Sequence, residues 1–347
     1  MTDHGGTAPA IAAFTVDTSP AREPARRGAC ASVVVCVYTE DRWQHIQWAL
    51  ASLTQQTALP GQVIVVADHN PELGQRLSAA HPDLEVIPSE FSPGLSGARN
   101  TGVQYARGDI VVFLDDDARA EPRWLEAMLA AYDDESVLGV GGLVVPDWRP
   151  ASRPRWLPDE FLWVVGCSYR GLPETKAEIR NPLGANMSFR KAAFQRAGPF
   201  DSSVGRNAEV LRPLGCEETE FSIRLRGMSP GGRIMYEPRA VVHHHVAPSR
   251  GTWAYFLDRC YSEGRSKARV ARLSGASAAL SSERSYVLTT VRRAVVRELA
   301  ALFQPGGRFA LARIAALAMG VTLAGAGYAR EMVTRLPIGG KRGRRGT

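Results

Sequence analysis

The sequence predicts an α/β protein: a mostly parallel central sheet flanked by helices, with a helical extension at its C-terminal end. Two observations carry this. Apolar runs rich in β-branched residues recur at 31–38, 62–68, 84–87 and 109–115, separated by stretches of helical spacing at 43–56, 71–80 and 98–106. Strands that alternate with helices pair in parallel through right-handed crossovers. In addition, Glu40, Asp68 and Asp115 all follow strand ends, at the edge of a parallel sheet where ligands bind.

The first strand, 31–38, runs into the polar loop Thr39-Glu40-Asp41-Arg42, and the segment after it places Trp43, Ile46, Trp48, Ala49, Leu50 and Leu53 at near-helical spacing. The second strand ends in Asp68, and the third, 84–87, is short. The glycine-rich stretch 92–102 fits neither a P-loop nor a dinucleotide fingerprint. It reads as a turn into a helix, either a plain entry or one whose free N–H groups and Arg99 face an anion.

The fourth strand ends in Asp115-Asp116-Asp117. Carboxylates packed side by side repel unless a cation offsets them. In an extended segment residues i and i+2 point the same way, so Asp115 and Asp117 can converge on one ion; a solvated acidic turn has the same composition. Oxygen ligation suits Mg²⁺ or Mn²⁺, which usually also holds substrate phosphates.

Further on, 121–131 reads as a helix with Pro122 in its first turn, and 138–145 as a glycine-containing strand. Trp148, Trp156, Phe161 and Trp163 cluster amid prolines, as a sugar-stacking platform or as packing under a long loop. Glu217, Glu218 and Glu220 open a helical pattern ending near Gly227. Acids there either stabilise the helix dipole or supply a general base. His243, His244 and His245 end a strand-like run, and alternation sends neighbours to opposite faces.

The chain of 347 residues is 45% hydrophobic and 22% charged, ordinary for a globular protein. Its net charge of +7 and pI near 9.4 come from the first thirty residues, from arginines after about position 259, and from the tail Lys341-Arg342-Gly343-Arg344-Arg345. Charge at the ends fits an anionic membrane surface at least as well as nucleic acid. None of the five cysteines forms a C-x-x-C pair, so reduced thiols in a cytoplasmic protein are expected. The N-terminus lacks the basic-then-apolar order of a signal peptide, and 1–29 reads as a disordered tail.

The ordered set Val37-Tyr38-Thr39, Val65-Val66-Ala67-Asp68, Gly97-Ala98-Arg99-Asn100-Thr101-Gly102 and Phe113-Leu114-Asp115-Asp116-Asp117 resembles the family-2 glycosyltransferases of GT-A fold. The resemblance continues through Gly184-Ala185-Asn186-Met187-Ser188-Phe189-Arg190, Gly198-Pro199-Phe200-Asp201, Gly215-Cys216-Glu217-Glu218-Thr219-Glu220-Phe221 and the histidine run, covering roughly 31–250. It implies a GT-A domain at 30–250, with a nucleotide-sugar half at 30–118 and an acceptor half at 119–250. By it, Asp115 and Asp117 are the metal- and diphosphate-binding pair, His244 or a neighbour contacts the metal, and Glu218 is the base, supported by Glu217. Tyr38, Thr39, Glu40 and Asp68 would hold the nucleoside, and Arg99, Asn100, Asp115 and Asp116 would join them in donor binding. Two departures are Val37-Tyr38-Thr39-Glu40, where many relatives carry Thr-Tyr-Asn-Arg, and Glu217-Glu218, where many carry Glu-Asp.

The implied reaction is metal-dependent, inverting transfer of a sugar from a nucleotide diphosphate to an acceptor hydroxyl, with Mg²⁺ or Mn²⁺ as cofactor. The C-terminal region, 251–335, shows helical patterns at 253–273 and 286–303 and an uncharged run at 314–329, followed by the basic tail 336–347. Sixteen residues fall short of a comfortable membrane span. The region reads as a basic amphipathic pair on the inner face of the cell membrane, or as helices closing the domain. Surface attachment suits a lipid-linked or other cell-envelope glycan acceptor, and the fuller pattern is similar to a branch related to glucosyl-dolichyl-phosphate glucuronosyltransferases. A sugar-phosphate nucleotidyltransferase would show a glycine-rich basic loop after the first strand, which residues 39–42 are not. A nucleic-acid binder would interleave basic and aromatic residues, whereas this site is acidic. A non-catalytic sugar-nucleotide-binding protein would have little need of both acidic clusters.

Overall fold

A computed structural model of the chain describes residues 30–204, 215–275, 283, 286–304 and 307–334. The described strands are β1 (Ala31–Val37), β2 (Gln62–Ala67), β3 (Glu85–Pro88), β4 (Ile110–Asp115), β5 (Ala118–Ala120), β6 (Val137–Asp147), β7 (Ala177–Glu178), β8 (Asn186–Arg190) and β9 (Arg233–His245). They form one sheet in the order β3-β2-β1-β4-β8-β6-β9-β5, with β7 added on β9. The first four strands pair in parallel, as the alternating pattern predicts. Beyond them β8 lies antiparallel between β4 and β6, and β9 runs parallel to β6.

The helices are α1 (Trp43–Thr54), α2 (Pro71–Ala80), α3 (Leu95–Tyr105), α4 (Trp124–Leu129), α5 (Lys191–Ala197), α6 (Glu217–Gly227), α7 (Trp253–Ser274), α8 (Arg292–Ala301) and α9 (Arg308–Thr334). They cover both faces of the sheet. Val33, Val35 and Val37 of β1 pack with Ile46, Leu50 and Leu53 of α1. Val34, Ile64, Val66 and Phe113 face Ala98 of α3, Phe194 of α5 and Phe221 of α6. Burial on both faces is why these strands read as continuous apolar runs. The α3 helix comes so close to β1 that a Cβ at Gly102 would lie 2.3 Å from Val34 Cγ1. One turn earlier, Arg99 is thereby brought to the end of β4.

Three elements differ from the sequence expectation. The helix read at 121–131 begins only at Trp124, because the Pro122 carbonyl accepts a bond from Thr57 N at 2.8 Å, and it ends in a 3₁₀ turn, Ala130–Asp133. Residues Tyr286–Val291 form a π-helical turn before α8. The uncharged run at 314–329 sits inside a helix of 27 residues, because Arg308 and Arg313 extend it at one end and Arg330 and Glu331 at the other. The tails 1–29 and 336–347 lie outside the described residues.

Candidate active site

The register of the sheet builds the site. Parallel pairing sets Cys36 opposite Asp115, so the loops leaving β1 and β4 emerge side by side. Antiparallel pairing of β5 with β9 sets Ala118 opposite His244, and His245 N donates to the Asp117 carbonyl at 2.9 Å. These two pairings converge Asp115, Asp117 and His244, whose ligand atoms all lie within 4.8 Å of one another. Asp117 and His244 are buried and 3.2 Å apart, while the Asp115 side chain remains 27% exposed. An oxygen–oxygen–nitrogen set with one open side fits a divalent cation. Asp117 Oδ1 is buried with the His244 Nε2 at 3.2 Å as its close polar neighbour and makes no well-formed hydrogen bond among the described residues, a cost that a bound cation would remove.

Alternation along β9 separates the three histidines. His243 points to Glu121 at 2.9 Å, His244 faces Asp117, and the His245 ring lies 4.1 Å from that of His45. Burial works against a charge on His244, but Asp117 outweighs it and pushes the imidazole up to about 10. On its other side Nδ1 meets Cys167 Sγ at 3.7 Å.

Arg42, to which the sequence reading assigned no role, neutralises the rest of the acidic triplet. Its guanidinium bonds Asp116 and lies 3.1 Å from Asp117 Oδ2, with the Tyr38 ring 5.2 Å below. The only signal for it was a basic residue in the loop beside β4. Asp116 is buried against Arg42, and burial pushes its carboxyl up to about 7 despite that partner.

Arg99, the expected anion contact, is 1% exposed and engaged by protein: Glu217 Oε1 at 2.8 Å, Asp115 Oδ1 at 3.3 Å and the Gly184 carbonyl at 3.0 Å. A helix turns about 100° per residue, so Asn100 faces away from the site, and its amide bonds both the N–H and the carbonyl of Phe200.

The remaining candidates lie along the same sheet edge. Tyr38 is half exposed, and Thr39 accepts from Asp41 N. Glu40 is exposed and paired with Arg76 at 2.7 Å. Asp68 accepts from Gly94 N at 2.9 Å and so ties the loop before α3 to β2. Glu217 and Glu218 occupy the first turn of α6, entered through Cys216 at φ 80°. Glu217 is buried, with Oε2 lacking a hydrogen-bond partner among the described residues. Burial and then the neighbouring Glu217 charge push the Glu218 carboxyl up to about 7. Glu220 is turned aside to Arg224. The aromatics of the 148–163 loop pack on the core, with Trp156 stacked on Trp253 at 4.1 Å, instead of standing free as a platform.

Comparison with known proteins identifies the family and the fold. The model of the family described as "Glycosyl transferase family 2" matches residues 32–198. A glucosyl-dolichyl phosphate glucuronosyltransferase of Haloferax volcanii is 33% identical over 240 residues, 68% of this chain and 75% of that protein. The succinoglycan biosynthesis protein ExoM of Rhizobium meliloti is 30% identical over 245 residues, 68% of this chain and 73% of that protein. Among solved structures, a mannosyltransferase from Pyrobaculum calidifontis in complex with GDP-Man and Mn²⁺ matches at 17% identity and a TM-score of 0.52, over 89% of this chain and 88% of that one. The architecture is that of the GT-A fold with a C-terminal helical region, and the chain belongs to glycosyl transferase family 2 and is a glycosyltransferase.

Proposed function

We propose that this glycosyltransferase moves a sugar from a nucleoside-diphosphate donor to an acceptor hydroxyl with inversion, on a lipid-linked or other cell-envelope glycan. The observation that carries the reading is one buried cation, Arg99, contacting both Asp115 of the candidate metal cluster and Glu217, which adjoins Glu218. The two acidic centres thus stand one guanidinium apart.

In this reading the 30–118 half binds the donor, with Tyr38, Thr39, Glu40 and Asp68 around the nucleoside, and 119–250 binds the acceptor. Asp115, Asp117 and His244 would hold Mg²⁺ or Mn²⁺, which supplies positive charge to the diphosphate. Glu218 takes the proton of the acceptor hydroxyl, and that oxygen forms the new bond to the anomeric carbon. The bond from that carbon to the donor phosphate oxygen breaks, and its electron pair leaves with the diphosphate. A carboxyl held near 7 is matched to taking a proton at neutral pH. A single in-line displacement inverts the anomeric centre and needs no enzyme nucleophile. Kinship with a glucosyl-dolichyl phosphate glucuronosyltransferase supports the lipid-linked acceptor.

The test is thermal stabilisation by a panel of nucleoside diphosphates, with and without Mn²⁺ or Mg²⁺, on wild type and Asp117→Ala. A ligand specific to the folded state raises the melting temperature by mass action. One diphosphate should stabilise wild type only with metal, and Asp117→Ala should abolish the effect. Stabilisation by none of them, or equal stabilisation of the variant, overturns the donor site. NMR of the product anomer decides inversion.

A further inference from the structure

We infer that α8 and α9 form a docking face for an anionic lipid bilayer, with α9 lying along the surface instead of crossing it. The inference extends the proposed lipid-linked acceptor, but its test is read without turnover, so either can fail alone.

The α8 helix carries apolar residues on both sides, unlike a helix that merely closes a domain. On its inward side Ala294 and Val295 pack on the core beside Glu298, which is buried in ion pairs with Arg297 at 3.0 Å and Arg313 at 2.6 Å. Its outward side carries Val296 at 60% exposure and Leu299 at 48%, continued by Phe303 at 93%. These recur at helical spacing and form an apolar ridge turned away from the protein. On α9, Leu311 is 61% exposed, and the outward residues Ala315, Ala318, Met319, Thr322, Ala326 and Ala329 carry no charge.

The charge around this face selects the occupant. The only acids between 286 and 334 are Glu298 and Glu331, and both are buried. Arg292, Arg293, Arg308 and Arg330 are exposed, and none of them forms an ion pair with a carboxylate among the described residues. An apolar ridge rimmed by cations alone matches acyl chains beneath anionic headgroups.

By length and composition α9 is long enough to cross a membrane. Its packing argues otherwise. Arg313 reaches the Arg155 carbonyl at 3.2 Å, Gly320 sits against Phe161, Ala324 against Gly264, Gly327 against Tyr261, and Glu331 pairs with Arg265 and Arg269. One side of the helix is therefore held to α7 and to Arg155 and Phe161 over about 27 Å. Crossing would carry the Glu331 ion pairs into lipid, where polar groups need partners.

The experiment is sedimentation of the full chain with vesicles of phosphatidylcholine, with or without phosphatidylglycerol. Wild type should bind the phosphatidylglycerol vesicles, less so at high salt. The double variant Leu299→Glu/Phe303→Glu should bind at least about tenfold more weakly with an unchanged melting temperature, since both side chains are outside the core. Bound wild type should be released by alkaline carbonate. No binding by wild type, or equal binding by the variant, overturns the docking face. Wild-type dimers that the variant turns into monomers, seen by light scattering, would make the face a contact between copies. Retention after carbonate would overturn the surface-lying helix.

Discussion

Arg99 Nη1 lies 2.8 Å from Glu217 Oε1, while Nη2 of the same side chain lies 3.3 Å from Asp115 Oδ1. One buried cation thus fixes the strand end with the candidate metal ligands against the helix with the candidate base. Removing it leaves the buried Glu217 without its counter-charge, facing the partly exposed Asp115. Arg99→Met is expected to cost about 3–5 kcal/mol of stability, read by urea unfolding. Arg99→Lys should recover only part of this, because one ammonium cannot match the forked reach to Glu217, Asp115 and Gly184. An unchanged urea midpoint for Arg99→Met would remove Arg99 from this role.

Glu218 makes two predictions with opposite consequences. With its carboxyl near 7, turnover should fall about tenfold per pH unit below that value, and Glu218→Gln should lose about 10²–10⁴ in kcat. Stability moves the other way. The unfolded chain releases this proton near about 4.3, so between there and about 7 the native state binds more protons. Stability therefore declines as pH rises through that window and levels off above it. Glu218→Gln removes the decline and should be more stable than wild type above neutrality by about 1–3 kcal/mol, the lower end reflecting solvent screening. Unfolding curves at acid and neutral pH decide it: a variant equally or less stable at both ends the argument for a strained base.

These residues were unequally legible in the sequence. β1, β2 and β4 announce themselves because burial on both faces requires an unbroken apolar run, and the acidic triplet stands out at a strand end. Arg42 does not, since its role exists only once parallel pairing sets its loop beside Asp116 and Asp117. Arg99 and Asn100 share one motif, yet helical rotation separates them, and neither buried partner of Arg99 is near it in sequence. In α8 the apolar spacing alone does not show that Val296 and Leu299 face outward. Hydrophobicity cannot say which side of a helix faces in when that side buries Glu298 by pairing it with Arg297 and Arg313.

The crossing of α7 and α9 depends on glycine where the backbones meet. A Cβ at Gly264 would lie 1.9 Å from the Ala324 carbonyl oxygen, and one at Gly327 2.1 Å from that of Tyr261, whereas one at Gly325 would meet nothing within 4 Å. In a helix interior Ala is otherwise favoured over Gly by about 1 kcal/mol. The same substitution should therefore change sign within one helix: Gly327→Ala destabilises by about 1–3 kcal/mol, and Gly325→Ala stabilises slightly. Melting temperatures measure both, and protease cleavage in α9 should quicken only for Gly327→Ala. Two variants of equal stability would mean that the helices do not cross this closely.

Arg42 and a bound cation should compete for one task, the neutralisation of buried carboxylates. The Arg42 guanidinium bonds Asp116 and lies 3.1 Å from Asp117. Without it, adjacent buried carboxylates repel, and one must take a proton or leave the interior. Arg42→Met is therefore expected to melt well below wild type in EDTA, by a difference on the order of 1–3 kcal/mol. A divalent ion held by Asp117 supplies part of the same neutralisation, so the gap should narrow as Mn²⁺ is added. Melting curves of both proteins across a Mn²⁺ series test this without a substrate. A gap independent of metal would mean that Arg42 acts on Asp116 alone, with Asp117 left to its pairing with His244.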